Sequence, residues 1–389
     1  MKLSNRVKNM SSSPTMAVMV RASELKRQGI DVIDLGPGEP DFNTPDHIKA
    51  AAYQAIEENF TKYTPASGIP ELKAAVARRY EQAYHLPYTP QEVIITVGGK
   101  QALFNIALAL FESGDEVILP SPYWVSYPEQ IKLAGATLVI LEMHEEDGFS
   151  LRPNDVEVLI TPKTKAIIIN SPCNPTGTVI EPEALEATVA LARRHGFYVI
   201  YDECYERFIY DTDHTSVAEF GKENVIVVNT LSKTYAMTGW RIGFALASKE
   251  LIAAMGRLQS QSTSNPTSIS QWAALHALED ERSEAAIEEM IAEYHKRRDI
   301  IVQALNRIPG VSCLKPNGAF YAFPNVSSFL GSEIQSTVQL ADYLLDKAQV
   351  AVVPGEAFGQ SGYIRLSYAT SLERIEEALR RMEQALCSL

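Results

Sequence analysis

The sequence is poor in the features that mark several function classes. Only four of its 389 residues are cysteine (Cys173, Cys204, Cys313 and Cys387), far apart and with no Cys-x-x-Cys pair. That spacing excludes a disulfide framework and fits a reducing compartment. Seven histidines form no His-x-x-x-His or His/Cys cluster, so no metal site is expected. His144-Glu-Glu-Asp147 reads as a solvated acidic turn. Positive charge is in deficit: the net charge of −13 argues against a nucleic-acid partner or an anionic membrane surface. No apolar run approaches the length of a membrane span. Met1–Met10 is polar and has no apolar h-region, so no secretory signal is expected and the cytoplasm is the expected location. No Walker spacing follows Gly98-Gly-Lys100, and Gly36-x-Gly38 lacks the third glycine of a dinucleotide fingerprint.

What is present is an ordinary globular composition, 46% hydrophobic and 21% charged, in a chain long enough for two domains. Short β-branched runs alternate with helical periodicity from residue 46 to about 250. The runs are 92–97, 115–119, 136–141, 165–170, 197–201, 224–229 and 241–246. That alternation predicts an α/β fold with a mostly parallel sheet and helices on both faces. Residues 250–260 and 266–308 read as helical. Beyond 310 come shorter elements: strands at 311–314, 319–323, 350–353 and 363–367, and helices at 337–347 and 371–386. The expectation is a large domain, 46–290, and a smaller α+β domain made of 1–45 with 300–389.

Chemistry-bearing residues fall just past successive predicted strands, and a doubly wound sheet gathers such loops at one edge. Lys233 follows the strand 224–229 among Thr230, Ser232 and Thr234, with Arg241 eight residues on. Hydroxyls and a guanidinium suit a phosphate, and a lysine beside them suits a Schiff base; taken alone, Lys233 is equally a solvated loop lysine. Gly98, Gly99 and Lys100 open a helix whose free N–H groups could cradle an anion, or are a plain strand–turn–helix joint. Trp124 could stack on a planar ring or pack in a core. Asn174 could donate from a loop stiffened by Pro172 and Pro175, or simply form an Asn-Pro turn. Asp202 closes an apolar strand; it could pair with a protonated ring nitrogen or cap the next helix. Arg365 lies inside a strand and needs an anion, either a substrate carboxylate or an internal salt bridge. Tyr63, at a loop start, reads alone as packing.

Taken together, the set holds an anion cradle, a stacking face, a carboxylate and a Schiff-base lysine, as a pyridoxal 5′-phosphate site requires. The motifs Gly38-Glu-Pro-Asp-Phe42, Lys62-Tyr-Thr-Pro-Ala-Ser-Gly68, Gly98-Gly-Lys-Gln-Ala102, Asn170-Ser-Pro-Cys-Asn-Pro-Thr-Gly177, Asp202-Glu-Cys-Tyr205 and Ser232–Arg241 occur in that order. So do Ser121-Pro-Tyr-Trp-Val-Ser-Tyr127, Gly318-Ala-Phe-Tyr321 and Arg365-Leu-Ser-Tyr-Ala-Thr370. Over essentially its whole length the chain resembles the class I/II aminotransferases of the fold-type I pyridoxal-phosphate enzymes, most closely the bacterial aspartate aminotransferase branch.

The resemblance implies that Lys233 holds the cofactor covalently and then moves the substrate α-proton. It implies that Asp202 keeps the pyridine nitrogen protonated, that Tyr205 and Asn174 bond the ring oxygen, and that Trp124 stacks on the ring. Gly98, Gly99, Lys100, Thr230, Ser232 and Arg241 would surround the phosphate. Tyr63 would reach the other subunit's phosphate, making a homodimer with shared sites. Arg365, helped by Asn174 and the Gly38 backbone, would grip the substrate α-carboxylate. The partners implied are an amino acid, aspartate above others, and 2-oxoglutarate, with the amino group carried between them on the cofactor.

Some relatives read the distal carboxylate with a partner-subunit arginine in the stretch matching about 260–275. No arginine lies between Arg257 and Arg282, so Lys100 is expected to take that task, unless it serves only the phosphate or solvent. Aromatic amino acids or alanine are the alternative substrates, and a β-lyase on the same fold is the alternative reaction. In relatives that accept prephenate a lysine near the N-terminus helps; here that stretch is Met10-Ser-Ser-Ser-Pro14, which does not supply one.

Overall fold

A computed structural model describes residues 3–8, 10 and 14–389. Residues 11–13, in the stretch Met10–Pro14, lie outside the described residues. The strands, in chain order, are β1 (Ile33–Asp34), β2 (Val93–Thr96), β3 (Glu116–Ser121), β4 (Thr137–Glu142), β5 (Thr164–Asn170) and β6 (Tyr198–Asp202). There follow β7 (Val225–Thr230), β8 (Gly243–Leu246), β9 (Tyr321–Ala322), β10 (Val350–Ala351), β11 (Val353–Pro354) and β12 (Ile364–Ser367). Seven of them form one sheet in the order β2-β8-β7-β6-β5-β3-β4. Only β8 runs against its neighbours. The expectation of a mostly parallel α/β sheet is met.

Apart from the edge strand β4, both faces of this sheet are dry, which is why its strands read as continuous apolar runs. Ile94, Val117, Leu119, Ile168, Ile200 and Val228 face one core with Leu103, Ile106 and Met255. The intervening Ile95, Ile118, Ile167, Val199 and Val227 face the other, with Leu72, Val76 and Tyr294. The period of two along each strand thus sorts side chains between two layers of helix. It also fixes Asp202, two residues after Ile200, on the side of the first core.

Near the chain ends the architecture is different. β1 pairs in parallel with β10, and β11-β12-β9 form a small antiparallel sheet. The helix Pro14–Arg27 is tied to the helix Thr337–Lys347 by Arg21, whose two terminal nitrogens reach Asp342 at 2.5 Å and Asp346 at 2.6 Å. Ala22, Val32, Leu345 and Ala351 share a small core there.

Several sequence expectations need correction. Residues 311–314 are not a strand: only Ser312 bridges to Asn325, because Gly310 turns the chain at φ +85° and Pro316 follows. The stretch 266–308 is two helices, Ser268–Glu279 and Arg282–Leu305. Asp280 breaks it in an extended conformation, and its carboxylate accepts from the Arg282 N–H at 2.9 Å. The run 350–353 divides between two sheets. Arg241 is not in β8; it is left-handed, at φ +57°, which turns its side chain out of the ladder. The helix Ser126–Leu133 has no separate signal in the sequence, since Pro128 interrupts its periodicity from within the first turn.

Candidate active site

The C-terminal ends of β3, β5, β6 and β7 converge on a cavity of about 320 Å³. It is lined by Gly38, Gly99, Lys100, Trp124, Asn174, Asp202, Tyr205, Thr230, Ser232, Lys233, Arg241 and Arg365. Gly98 adjoins it in the chain. Of the residues singled out from sequence, only Tyr63 stands elsewhere: it is 92% exposed, in a shallow depression with Thr263, Ser264 and Asn265.

Each side chain is placed by a short local device. Thr230 ends β7 and caps the single helical turn Leu231–Thr234, its side chain accepting from the Ser232 N–H at 3.2 Å. Lys233 therefore rides on a helical turn rather than a loop. Its ammonium donates to the Gly38 carbonyl. Burial lowers its pKa to about 8, with Arg365 and Arg241 adding to the effect against Cys204 and Glu39. The solvated-lysine alternative is thereby excluded.

Asp202 caps no helix. One of its oxygens, Oδ2, accepts from the Tyr127 hydroxyl at 2.8 Å, and the other, Oδ1, from the Cys204 N–H at 3.2 Å. Burial raises its pKa, opposed first by the Tyr127 bond. Asn170 ties two loops together, donating to the Asp202 carbonyl at 2.9 Å and accepting from the Asn174 N–H at 2.8 Å. Asn174 Oδ1 accepts from Arg365 at 2.9 Å, and Arg365 also donates to the Gly36 carbonyl at 2.5 Å. Arg365 belongs to no ion pair among the described residues, so the internal-salt-bridge alternative falls. Its Nε is buried without a partner. The guanidinium lies between the rings of Tyr321 and Phe358, 4.5 and 4.9 Å from their centroids.

At the other end of the cavity, Gly98 holds φ +76° and the helix Gly99–Leu110 begins, with the hydroxyls of Thr230 and Ser232 2.8 Å apart. A Cβ on Gly98 would collide with the Arg241 guanidinium, so this glycine is required for both its backbone and its space. Lys100 is exposed at the rim, its ammonium 4.9 Å from the Trp124 ring centroid. Partial burial, and then Arg241, lower its pKa.

Residues 30–382 match the family model for aminotransferase class I and II. The chain belongs to the class I and II aminotransferases. It is 46% identical to a probable aspartate/prephenate aminotransferase of Aquifex aeolicus, over 99% of this chain and 98% of the relative. It is 46% identical to the aspartate aminotransferase of Geobacillus stearothermophilus, over 99% and 98%. A solved structure of the Thermus thermophilus aspartate aminotransferase with maleate superposes with a TM-score of 0.96 at 46% identity, covering 99% of this chain and 100% of that one.

Aminotransferases of this family are pyridoxal-phosphate enzymes, and the residues present here fit that group. A buried carboxylate in no ion pair among the described residues, a lysine with a lowered pKa, a buried arginine with an orphaned Nε, and a helix N-terminus beside two hydroxyls all open on one cavity. A pyridinium, an aldehyde, a carboxylate and a phosphate would answer them in turn. Gly98→Ala is expected to weaken cofactor binding by about tenfold or more, since a side chain at φ +76°, ψ 165° is strained by about 1–3 kcal/mol. Titrating apoprotein with pyridoxal phosphate measures it; unchanged affinity would show that the cradle lies elsewhere.

Two residues of this aminotransferase escaped sequence reasoning. Tyr127 anchors Asp202, and Tyr321 bonds Tyr205 at 2.7 Å between the two hydroxyls. Both sit in quoted motifs, but nothing in spacing says that a tyrosine faces a carboxylate. Gly38 also gains a second reason: a Cβ there would lie 2.5 Å from the Tyr321 hydroxyl. Glu203, Glu206 and His214 bring metal-ligating atoms within 4.8 Å of one another. The cation's place there is taken by Arg79, 2.6 Å from Glu206, while Tyr80 and Ser216 donate to Glu203.

Proposed function

We propose that this aminotransferase moves the amino group of L-aspartate to 2-oxoglutarate as a cytoplasmic homodimer with shared active sites. One observation carries the reading: the Lys233 amine with its lowered pKa and the Arg365 guanidinium, in no ion pair among the described residues and with its Nε unpartnered, open on the same cavity. The amine is a ready nucleophile and base, and the guanidinium awaits a carboxylate. An α-amino acid presents its carboxylate and its reacting carbon a short distance apart.

When bound, pyridoxal phosphate supplies the electron sink that acidifies the substrate α-carbon. The protein does the rest. Arg365 holds the α-carboxylate through paired charge-assisted bonds, with Asn174 beside it. Lys233 Nζ would take the substrate α-proton and carry it to the cofactor carbon. Asp202, whose ionised form the Tyr127 hydroxyl favours, would hold the proton on the ring nitrogen. Tyr205 donates to the ring oxygen, and Trp124 covers a ring face. Gly98, Gly99, Thr230, Ser232 and Arg241 hold the phosphate. Lys100 reads the distal carboxylate. Tyr63, too exposed to serve its own cavity, reaches the partner's phosphate.

The division into 46–290 and 1–45 with 300–389 belongs to the same proposal. Gly36 and Gly38, which touch Arg365 and Lys233, come from the first stretch of the smaller part, and Arg365 from the second. Closure of that part would exclude water and align the α-hydrogen.

Aspartate is favoured because relatives nearly half identical carry that name and because Lys100 stands free at the rim. The test is an absorbance spectrum of the protein loaded with pyridoxal phosphate. Aspartate is expected to bleach the visible band and 2-oxoglutarate to restore it. Lys100→Gln should raise the aspartate KM by about five- to thirtyfold, as loss of a charge pair implies, and leave alanine or phenylalanine unaffected. A band that answers alanine or phenylalanine and ignores aspartate would move the substrate and remove the role of Lys100.

A further inference from the structure

Tyr321 stands between the two halves of the site. Its hydroxyl is 2.7 Å from that of Tyr205, and its ring centroid lies 4.5 Å from the Arg365 guanidinium. The side chain is fully buried on β9, beside β12, which carries Arg365. Its rotation is closed off on every side. Gly38 leaves room for the hydroxyl and nothing larger, and Tyr205 and Phe320 pack edge-on and tilted against the ring at 5.6 and 4.9 Å. Among the described residues, Tyr205 is the hydroxyl's one side-chain partner.

We propose that Tyr321 is a positioning residue with two separable tasks: its hydroxyl donates to Tyr205, and its ring sets the plane of Arg365. The inference rests on the roles given above to Tyr205 and Arg365. The direction of the hydrogen bond follows from the proton count: Tyr205 has one hydroxyl proton, given above to the ring oxygen, so its oxygen accepts from Tyr321. Burial pushes Tyr321 up to about 12 against the pull of Arg365, while Tyr205 is driven well higher. A Tyr205 oxygen that already accepts one bond makes its own proton a better donor to the next acceptor. The substrate-carboxylate end, through the Tyr321 ring on Arg365, and the ring-oxygen end, through the Tyr321 hydroxyl on Tyr205, thus share one side chain.

Two variants separate the tasks. Tyr321→Phe keeps the ring and removes the hydroxyl; Tyr321→Leu removes both. Two readouts other than turnover apply: the pH midpoint of the visible band of the loaded protein, and the Kd of succinate, an unreactive dicarboxylate, by calorimetry. Tyr321→Phe is expected to raise the midpoint by about 0.4–1 pH units, the worth of one hydrogen bond, and to leave succinate binding unchanged. Tyr321→Leu is expected to raise the midpoint similarly and to weaken succinate by about five- to thirtyfold, as loss of a desolvated cation–π contact predicts. An unshifted midpoint in Tyr321→Phe overturns the inference, and so does equal weakening of succinate in both variants. Should the leucine variant not fold, the midpoint in the phenylalanine variant decides alone. A wild-type protein with no visible band and no succinate binding would instead remove the proposed function on which the inference rests.

Discussion

Lys233→Ala should fold, bind pyridoxal phosphate without capturing it covalently, and lose transamination by at least about 10⁴-fold, the upper range for removal of a general base that is here also the covalent anchor. The structure supplies the reason for the size. Among the described residues no other amine is placed to replace it: Lys100, the other lysine lining the cavity, sits at the rim beside Trp124. Added methylamine should restore part of the proton transfer. Single-turnover bleaching of the visible band by aspartate measures both. A variant that retains more than about a tenth of wild-type turnover would leave the base unidentified.

The same lysine carries a pH dependence whose sign can be worked out. Its pKa falls from the usual 10.5 to about 8 because burial disfavours the ammonium. The neutral amine attacks an aldehyde, so capture of pyridoxal phosphate by the apoprotein should rise with pH and level off above about 8. For folding, the depressed pKa means that the native state binds fewer protons than the unfolded chain between pH 8 and 10.5. The contribution of Lys233 to stability is therefore least favourable below pH 8 and improves through that interval. Lys233→Ala removes this rise, and urea titrations of the two apoproteins at pH 7 and 10 should converge.

Arg365→Lys is the second large effect. A lysine keeps the charge but cannot form two parallel bonds to a carboxylate or lie flat between Tyr321 and Phe358. Truncating one partner of a buried charge pair costs about 2–5 kcal/mol, which is a fall of about 30- to 4,000-fold in kcat/KM. Both half-reactions should fall together, because aspartate and 2-oxoglutarate present the same α-carboxylate. Stability should fall by about 1–3 kcal/mol, since Asn174 Oδ1 and the Gly36 carbonyl lose the guanidinium from which they accept. Rapid-mixing measurement of each half-reaction tests it, and a loss confined to one of them would give Arg365 a different ligand.

Much of this was legible before any coordinates. A strand buried on both faces must be a short β-branched run, and Val225–Thr230 and Tyr198–Asp202 announce themselves in that way. The helices Thr337–Lys347 and Leu372–Leu386 match their periodic stretches, each stopped where the apolar stripe ends. Where chain geometry outweighs pattern, reading fails. The stretch 311–314 has strand composition, but a left-handed Gly310 leaves it one bridge, and Asp280 cuts a helical run that the periodicity carries straight through.

For the site, position along the chain told which residues stand at the sheet's edge, because a parallel sheet delivers every strand end to the same side. Hence Lys233, Asp202, Asn174 and Gly99 were found without coordinates, and all of them line one cavity. What they do to one another depends on distances between segments remote in sequence, which no local pattern encodes. Tyr127 and Asp202 are 75 residues apart, Tyr205 and Tyr321 116, Asn174 and Arg365 191, and Lys233 and Gly38 195. The depressed lysine, the orphaned arginine Nε and the tyrosine pair are products of desolvation, and desolvation exists only once those segments have packed.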